Sequence, residues 1–248
     1  MELVRDYERI DDLHRNGLLV IQDKKKFCFG IDAVLLSDFA IAKKGEHVLD
    51  IGTGTGVIPI LMTAKSEAQS YTAIDIQLES VEMSTRSVKL NKLEHLIDVV
   101  QCDIKEALTK FKPASFDVIT TNPPYVKSGG GLLNETSPKA IARHEISCTL
   151  LDIVAMSAKL LKTNGRIYMV HRPYRLADIL VTMREYNIEP KLIRFVHSNA
   201  TKEPSLLLIE GVKNANSMVK ILPPLIIYKS DGSYTDEIRQ IYYEEARK

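Results

Sequence analysis

The chain has 248 residues, of which 45% are hydrophobic, so it can bury the core of one α/β domain and is not an intrinsically disordered protein. Its formal net charge of +1 neither indicates nor excludes a nucleic-acid partner. We recognise no signal peptide and no apolar run long enough to cross a bilayer, and we therefore expect a cytoplasmic protein without a membrane partner. The cysteines are scattered and form no CxxC pair, which predicts reduced thiols and no metal site: Cys28, Cys102 and Cys148.

The predicted elements begin with two short strands between residues 17 and 29, joined by a polar turn at 23–26, and continue with a helix at 31–41. Beyond residue 46, apolar strands alternate with helices. We place the strand ends near residues 51, 76, 100, 121, 170, 196 and 209, and the helices at 57–65, 78–90, 147–161 and 174–186. This alternation is typical of βαβ units and predicts an α/β fold with a mostly parallel sheet and helices on both faces.

The chain divides into two parts where this alternation starts. We predict that residues 1–44 form an N-terminal hairpin and helix that cap a cofactor site, and that residues 45–248 form the main domain. We expect both parts to belong to one structural unit. A run of three glycines at 129–131 lies in a polar stretch, which indicates a loop over the site.

A glycine-rich turn follows the first strand of the alternation. Glycines are needed where φ is positive or where a ligand approaches the backbone closely. A dinucleotide fold is the main competitor, but its GxGxxG spacing would place the third glycine at Val57 instead of Gly56. A diphosphate would also gain nothing from Asp50, whereas a ligand with an ammonium and no phosphate would. We therefore predict that Asp50, Gly52, Gly54 and Gly56 bind S-adenosylmethionine.

Acidic residues follow the next two predicted strands as well. Asp75 ends the second strand, where a carboxylate can accept hydrogen bonds from both hydroxyls of a ribose. Asp103 follows the third strand and could accept from an adenine amine, although it could equally cap the next helix. Ile76 and Ile104 are expected to flank the adenine ring. These four residues predict a nucleoside-containing cofactor.

The fourth strand ends in the sequence Asn-Pro-Pro-Tyr, which indicates the chemistry. Ligand sites in open α/β sheets lie beyond the carboxyl ends of the strands, near the switch in strand order. Consecutive prolines make the turn rigid, so Asn122 and the carbonyl of Pro123 can act as two fixed acceptors for a planar amino group. Pro124 stiffens the turn, and Tyr125 offers a face on which a base can stack. We interpret Asn122, Pro123, Pro124 and Tyr125 as catalytic.

The glycine turn and the Asn-Pro-Pro-Tyr turn together resemble the amino-methyltransferase branch of the S-adenosylmethionine-dependent, Rossmann-like methyltransferases. Segments 29–36 and 165–173 and the tail at 224–235 are similar to tRNA adenine-N6 methyltransferases, a bacterial family that modifies the adenosine 3′ of the anticodon in a valine tRNA. The resemblance spans nearly the whole chain. It implies a seven-stranded, mostly parallel sheet whose last strand is antiparallel. It also implies that Asp32 lies near the methionine end of the cofactor.

Charge is distributed unevenly in a way that suits a polyanionic partner such as tRNA. Residues 45–158 carry an excess of acids, whereas residues 159–229 carry an excess of Lys and Arg. Solvated helix faces are the alternative explanation. We expect substrate contacts at Arg143, Arg172, Arg175 and Arg194.

Several alternatives remain open at this point. The same turn also resembles that of enzymes that methylate a protein glutamine amide, guanine N2 of ribosomal RNA, or adenine in DNA. The glutamine enzymes usually carry an N-terminal helical domain and the DNA enzymes a target-recognition domain, and neither has room here. An NAD-dependent oxidoreductase and a non-catalytic RNA-binding protein are the remote alternatives. Oligomeric state is not indicated by the sequence.

Overall fold

We analysed a computed structural model of the chain that describes residues 3–24, 28–123 and 148–243. The described helices are α1 (Ile31–Phe39), α2 (Val57–Thr63), α3 (Leu78–Leu90), α4 (Leu150–Leu160), α5 (Leu176–Glu185) and α6 (Asp236–Tyr242). Two 3-10 turns lie at Ile104–Thr109 and Pro173–Arg175. Among the described residues, the structure contains no helix that is long and apolar enough to cross a membrane.

Eleven strands are present in the described residues. They are β1 (Glu8–Asp12), β2 (Leu19–Asp23), β3 (His47–Ile51), β4 (Ser70–Asp75), β5 (Ile97–Gln101), β6 (Phe116–Thr121), β7 (Leu161–His171), β8 (Ile188–His197), β9 (Pro204–Lys213), β10 (Lys220–Ile221) and β11 (Leu225–Ile226). From β3 to β9, the predicted alternation of strands and helices is confirmed, with ends that differ by a few residues.

The main sheet has its long strands in the order β5-β4-β3-β6-β7-β9-β8. All of them are parallel except β9, which is antiparallel to both β7 and β8. The expected seven-stranded sheet, with its last long strand antiparallel, is therefore confirmed. Two further strands of two residues each, β10 and β11, pair in parallel with β8 and extend the sheet to nine strands. Such short pairings leave no periodicity that a sequence could show.

Side chains on the two faces of the sheet pack into two hydrophobic clusters. Val48 of β3 faces a cluster that includes residues of α1, α2 and α6. Its neighbour Leu49 faces the opposite cluster, which includes residues of α4 and α5. Both residues are fully buried, as expected for a parallel strand covered on both sides. The prediction of helices on both faces is thus confirmed.

The N-terminal hairpin differs from the prediction. Its strands are β1 and β2, which pair antiparallel with Ile10 opposite Ile21, so the turn lies at residues 14–17 and not at 23–26. Three of the turn residues have positive φ: His14 (53°), Asn16 (50°) and Gly17 (67°). The cause of the error is β1, because its segment ERIDD has a single apolar residue and forms a strand only through pairing with β2.

Polar contacts fasten this hairpin to α3. Arg86 donates to both carboxylate oxygens of Glu8 at 2.6 Å, and this hydrogen bonding lowers the pKa of Glu8. Asn91 accepts from the Leu19 amide at 2.8 Å and donates to the Leu19 carbonyl at 2.7 Å. The side-chain amide of Asn91, at the end of α3, thereby satisfies both backbone polar groups of Leu19 in β2.

Candidate active site

The site lies at the carboxyl edge of the sheet, where the strand order reverses. The chain builds β3, β4 and β5 outward in one direction, and β6 then pairs with the other side of β3. Ile51 is opposite Thr121 in this pair, so the glycine turn after β3 and Asn122 after β6 leave the sheet side by side. Thr121 Oγ1 also donates to the Ile51 carbonyl at 3.2 Å. A switch point of this kind is where α/β sheets bind ligands.

The glycine turn exposes its backbone to a ligand. Gly52, Gly54 and Gly56 have φ of 73°, 56° and 84°, in the left-handed region that other residues rarely adopt. A Cβ added at Gly52 or Gly54 would meet no atom within 4 Å, so the space above these two residues is open. A Cβ at Gly56 would lie 2.5 Å from Ser84 Oγ, so this glycine lets the turn approach α3.

Asp50 is a buried carboxyl next to this turn. Thr120, its partner in β6, donates from Oγ1 to Asp50 Oδ1 at 2.7 Å. Asp50 Oδ2 is also buried, and Thr53 of the glycine turn is the second hydroxyl that acts on this carboxyl. Burial raises the pKa of Asp50 to about 6, partly offset by hydrogen bonding to Thr120 and to Thr53. An acceptor in this state is suited to a ligand ammonium, which would stabilise the ionised carboxylate.

Asp75 links the end of β4 to the glycine turn. Its Oδ2 accepts from the Gly54 amide and its Oδ1 from the Gln77 amide, both at 2.9 Å. A carboxylate has about four acceptor positions, so two such bonds do not saturate it. The carboxylate is therefore held in one orientation at the predicted cofactor site, and its predicted bonds to ribose hydroxyls are compatible with this geometry.

The residues predicted to surround the adenine lie at the same edge of the sheet. Ile76 is 42% exposed, so its side chain is accessible to a ligand at this edge. Ile104 is buried. Asp103 caps the 3-10 turn that follows β5, because its side chain accepts from the Lys105 amide at 2.9 Å. Its capping role is thus observed, whereas its contact with adenine stays a prediction.

The Asn-Pro-Pro-Tyr turn is described only in its first half. Asn122 and Pro123 are partly buried and directly follow β6, beside the glycine turn. Pro124, Tyr125, the glycines at 129–131 and Arg143 lie outside the described residues. The position of Asn122 agrees with the predicted site, and its role as an acceptor for the amine stays a prediction.

Asp32 lies in the first turn of α1, and its place near the methionine end of the cofactor stays a prediction. It is buried, and its Oδ1 accepts from the Ala33 amide at 2.9 Å. The C-terminal helix α6 packs near it: burial raises the pKa of the Tyr242 hydroxyl, and the charge of Asp32 raises it further. Tyr242 was not among the predicted site residues, since nothing in the local sequence connects it to α1.

Two other polar residues at this edge were also missed by sequence reasoning. Thr120, which orients Asp50, could have been found from the register of β3 and β6. His171 at the end of β7 is buried, and its Nδ1 accepts from the Arg172 amide at 2.7 Å. Burial, followed by the charges of Arg175 and Arg172, lowers the pKa of His171 to about 4. His171 is therefore a neutral imidazole at physiological pH.

Two of the predicted substrate arginines lie together and one lies apart. Arg172 follows β7 and donates to the Ser205 carbonyl at 3.0 Å, and Arg175 pairs with Asp178 at 2.8 Å. Both belong to the carboxyl edge of the sheet. Arg194 lies further back in β8, where its side chain is 18% exposed and pairs with Glu237 at 2.7 Å. Contact between Arg194 and a substrate stays a prediction.

The comparison with known families agrees with the fold and with this site. The methyltransferase small domain family matches residues 29–186, and the chain belongs to this family. The predicted membership in the methyltransferases is confirmed. Among curated relatives, a tRNA1(Val) (adenine(37)-N6)-methyltransferase of Flavobacteriaceae bacterium (strain 3519-10) is 29% identical and covers 81% of this chain and 83% of the relative. One of the same name from Parabacteroides distasonis is 30% identical over 77% of this chain and 79% of the relative.

Solved structures share the fold at low sequence identity. A protein of Agrobacterium tumefaciens described as a predicted O-methyltransferase superposes with a TM-score of 0.70, covering 85% of this chain and 95% of its own, at 17% identity. The geranyl diphosphate C-methyltransferase of Streptomyces coelicolor, solved with S-adenosyl-L-homocysteine, has a TM-score of 0.54 over 74% and 77% of the two chains at 13% identity. These two comparisons establish the methyltransferase-type fold.

Proposed function

We propose that this protein transfers a methyl group from S-adenosylmethionine to the exocyclic N6 amine of an adenosine in the anticodon loop of a tRNA. The observation that carries the proposal is the juxtaposition of Asn122 and the glycine turn at the switch point between β3 and β6. The names of the curated relatives support the substrate. tRNA in the cytoplasm is the partner that this function requires.

The described residues fit the cofactor. Open space above Gly52 and Gly54 leaves room for a ligand against the backbone, and the carboxylate of Asp50, buried beside this turn, would stabilise its ammonium electrostatically. Asp75 is oriented to accept from a ribose, and Ile76 exposes an apolar side chain for an adenine. Residues 1–44 would cap the same pocket through Asp32.

The residues of the Asn-Pro-Pro-Tyr turn would act on the amine. When bound, the cofactor would supply a methyl group on a sulfonium. The amine nitrogen would form the new C–N bond as the bond between sulfur and methyl breaks, S-adenosylhomocysteine would leave, and one proton of the amine would pass to solvent. The side-chain oxygen of Asn122 and the carbonyl of Pro123 would accept the two N–H groups, which takes the nitrogen lone pair out of conjugation with the ring. Preorganised acceptors of this kind act without reorganisation during the reaction. Tyr125 would stack on the base, which must leave its stack to enter the site.

Alternative substrates carry the same planar amine, and the comparisons favour none of them. Guanine N2 in ribosomal RNA and a protein glutamine amide would both fit two acceptors. The assay below therefore includes them.

The experiment is methyl transfer by the purified protein to total tRNA, ribosomal RNA and a release-factor peptide, with nucleosides and peptides analysed by mass spectrometry. We expect N6-methyladenosine in tRNA. Asn122→Ala should lower the turnover rate by about a hundredfold, comparable to the loss of one preorganised dipole, with little change in S-adenosylhomocysteine affinity. Methylation of guanine N2 or glutamine instead would replace the proposed substrate, and a fully active Asn122→Ala variant would refute the proposed role of Asn122.

A further inference from the structure

Four tyrosines from the C-terminal part of the chain form a series of ring contacts, which we call the tyrosine ladder: Tyr228, Tyr234, Tyr242 and Tyr243. The rings of Tyr228 and Tyr234 have centroids 5.3 Å apart and an angle of 15° between their planes. Tyr234 and Tyr242 are 5.7 Å apart at 11°, and Tyr242 and Tyr243 are 6.2 Å apart at 40°. The first two pairs have nearly parallel rings at distances typical of offset stacking, which is a geometry that aromatic pairs prefer.

The ladder lies at the same edge of the sheet as the candidate active site. The Tyr228 amide donates to the Ser198 carbonyl at 2.8 Å, just beyond the end of β8, and Tyr242 lies near Asp32 in α1. It therefore runs from the outer strand β8 towards α1. Tyr228 follows β11, four strand positions from β6, which corresponds to about 19 Å across the sheet. A few nucleotides of an RNA loop can span this distance.

The two inner rings fix the orientation of the outer ones. Tyr234 and Tyr242 pack against the hydrophobic cluster that contains α1 and α2. At one end of the ladder, Tyr243 is 39% exposed and has His14 beside it, with ring centroids 5.4 Å apart. At the other end, Tyr228 is 40% exposed. Tyr228 is thus a rigid aromatic platform that faces solvent beside the active-site edge.

We propose that Tyr228 stacks on a nucleobase of the same single-stranded loop that delivers the target adenosine. This inference rests on the proposed tRNA substrate and adds a second point of attachment to it. Bases of single-stranded RNA are recognised by stacking on aromatic side chains, and the stacking tolerates any base. A ring already held by its neighbours loses little conformational freedom when a base is added.

The surroundings of Tyr228 favour a nucleobase over a protein partner. The residues that follow Tyr228 in sequence, Lys229, Ser230 and Asp231, are all exposed and polar. A protein interface is centred on a large apolar patch, whereas on this side of the ring the exposed residues are polar. The nearby charges are also internally balanced, since Lys229 pairs with Asp236 at 2.8 Å. Stacking, which does not depend on charge, is the interaction that this platform offers.

The test uses a synthetic anticodon stem-loop in which 2-aminopurine replaces one loop base at a time on either side of the target adenosine. Stacking on Tyr228 should lower the 2-aminopurine emission at one of these positions in complex with the wild-type protein. Tyr228→Phe retains the ring and should retain the quenching. Tyr228→Ala should lose it and should bind the stem-loop about ten- to a hundredfold more weakly, the usual effect of removing one stacking aromatic residue.

Tyr186→Ala is the matched control, because this half-buried tyrosine follows α5 at the opposite edge of the sheet. It should leave RNA affinity and quenching unchanged. Thermal melting of each variant separates loss of folding from loss of stacking, and the emission measured with the wild-type protein does not depend on any variant. Equal emission and affinity for wild type, Tyr228→Phe and Tyr228→Ala would overturn the inference while methyl transfer to tRNA persists. If the wild type neither binds nor methylates the stem-loop, the proposed function itself fails.

Discussion

Replacement of Asp75 by Asn tests whether this carboxylate organises the cofactor site. In the structure, each carboxylate oxygen accepts one backbone amide, from Gly54 and from Gln77, at 2.9 Å. The Asn side chain has one oxygen and one NH₂ group, so it can satisfy only one of these amides. The other amide would face a donor, and where that amide is the one of Gly54, the glycine turn would keep only its backbone hydrogen bonds to Ile74.

The magnitude follows from the number of bonds affected. A hydrogen bond to a charged acceptor contributes about 1.5–3 kcal/mol, and an unpaired buried polar group costs about 1–3 kcal/mol. If the ribose hydroxyls also bind Asp75, removal of the carboxylate should weaken S-adenosylhomocysteine binding by roughly 1–3 kcal/mol, or about five- to 150-fold. Asp75→Ala, which removes both acceptors, should weaken binding at least as much as Asp75→Asn.

Isothermal titration calorimetry with S-adenosylhomocysteine measures this loss, and thermal melting reports the loosening of the turn. Asp98→Asn is the control, because Asp98 is an exposed acid in the neighbouring strand β5 and the change in charge is the same. We expect its affinity to equal that of the wild type. Unchanged affinity in Asp75→Ala would refute the reasoning and place the ribose contact elsewhere.

Two further predictions concern charge. Because burial raises the folded-state pKa of Asp50 from 3.8 to about 6, the stability contributed by its neutral form is complete below pH 3.8 and is lost as pH rises through about 6. Thermal melts of the ligand-free protein from pH 4 to pH 7 should show this loss of stability, which is about 3 kcal/mol at most. The variant Asp50→Asn should not show this pH dependence. Parallel plots of stability against pH for the two proteins would contradict the assignment. The double variant in which Arg172 and Arg175 are both changed to Ala should raise the KM for tRNA more than it lowers kcat. It should also make tRNA binding less dependent on salt, because fewer phosphate contacts release fewer counterions. Binding of tRNA that does not respond to salt in the wild type would exclude this contact.

Much of the site could be predicted because its residues follow strands of a regular pattern. Asp50, Asp75 and Asn122 each stand at the end of an apolar run, and parallel strands bring their carboxyl ends to one edge. Local sequence was sufficient to place them. The glycine spacing also distinguished the turn from a dinucleotide-binding turn without any knowledge of the sheet.

The parts that were missed depend on pairing between distant segments. The strand β1 has almost no apolar pattern and is defined by its register with β2. The hydroxyl of Thr120 meets Asp50 only through the pairing of β3 with β6. The tyrosine ladder joins rings from separate segments of the tail, and Tyr242 approaches α1 from the opposite end of the chain. No local periodicity encodes such contacts.

The antiparallel position of β9 also has a consequence for how the protein is made. Because β9 lies between β7 and β8, the strand β8 has no long partner until residues 204–213 have left the ribosome. Until then, the apolar edges of β7 and β8 are both unpaired, and such edges can join those of other chains. A chain interrupted between β8 and β9 would therefore leave β7 open on one side and β8 open on both. We expect such truncated chains to aggregate, whereas in chains that extend past β9 this strand pairs with both β7 and β8.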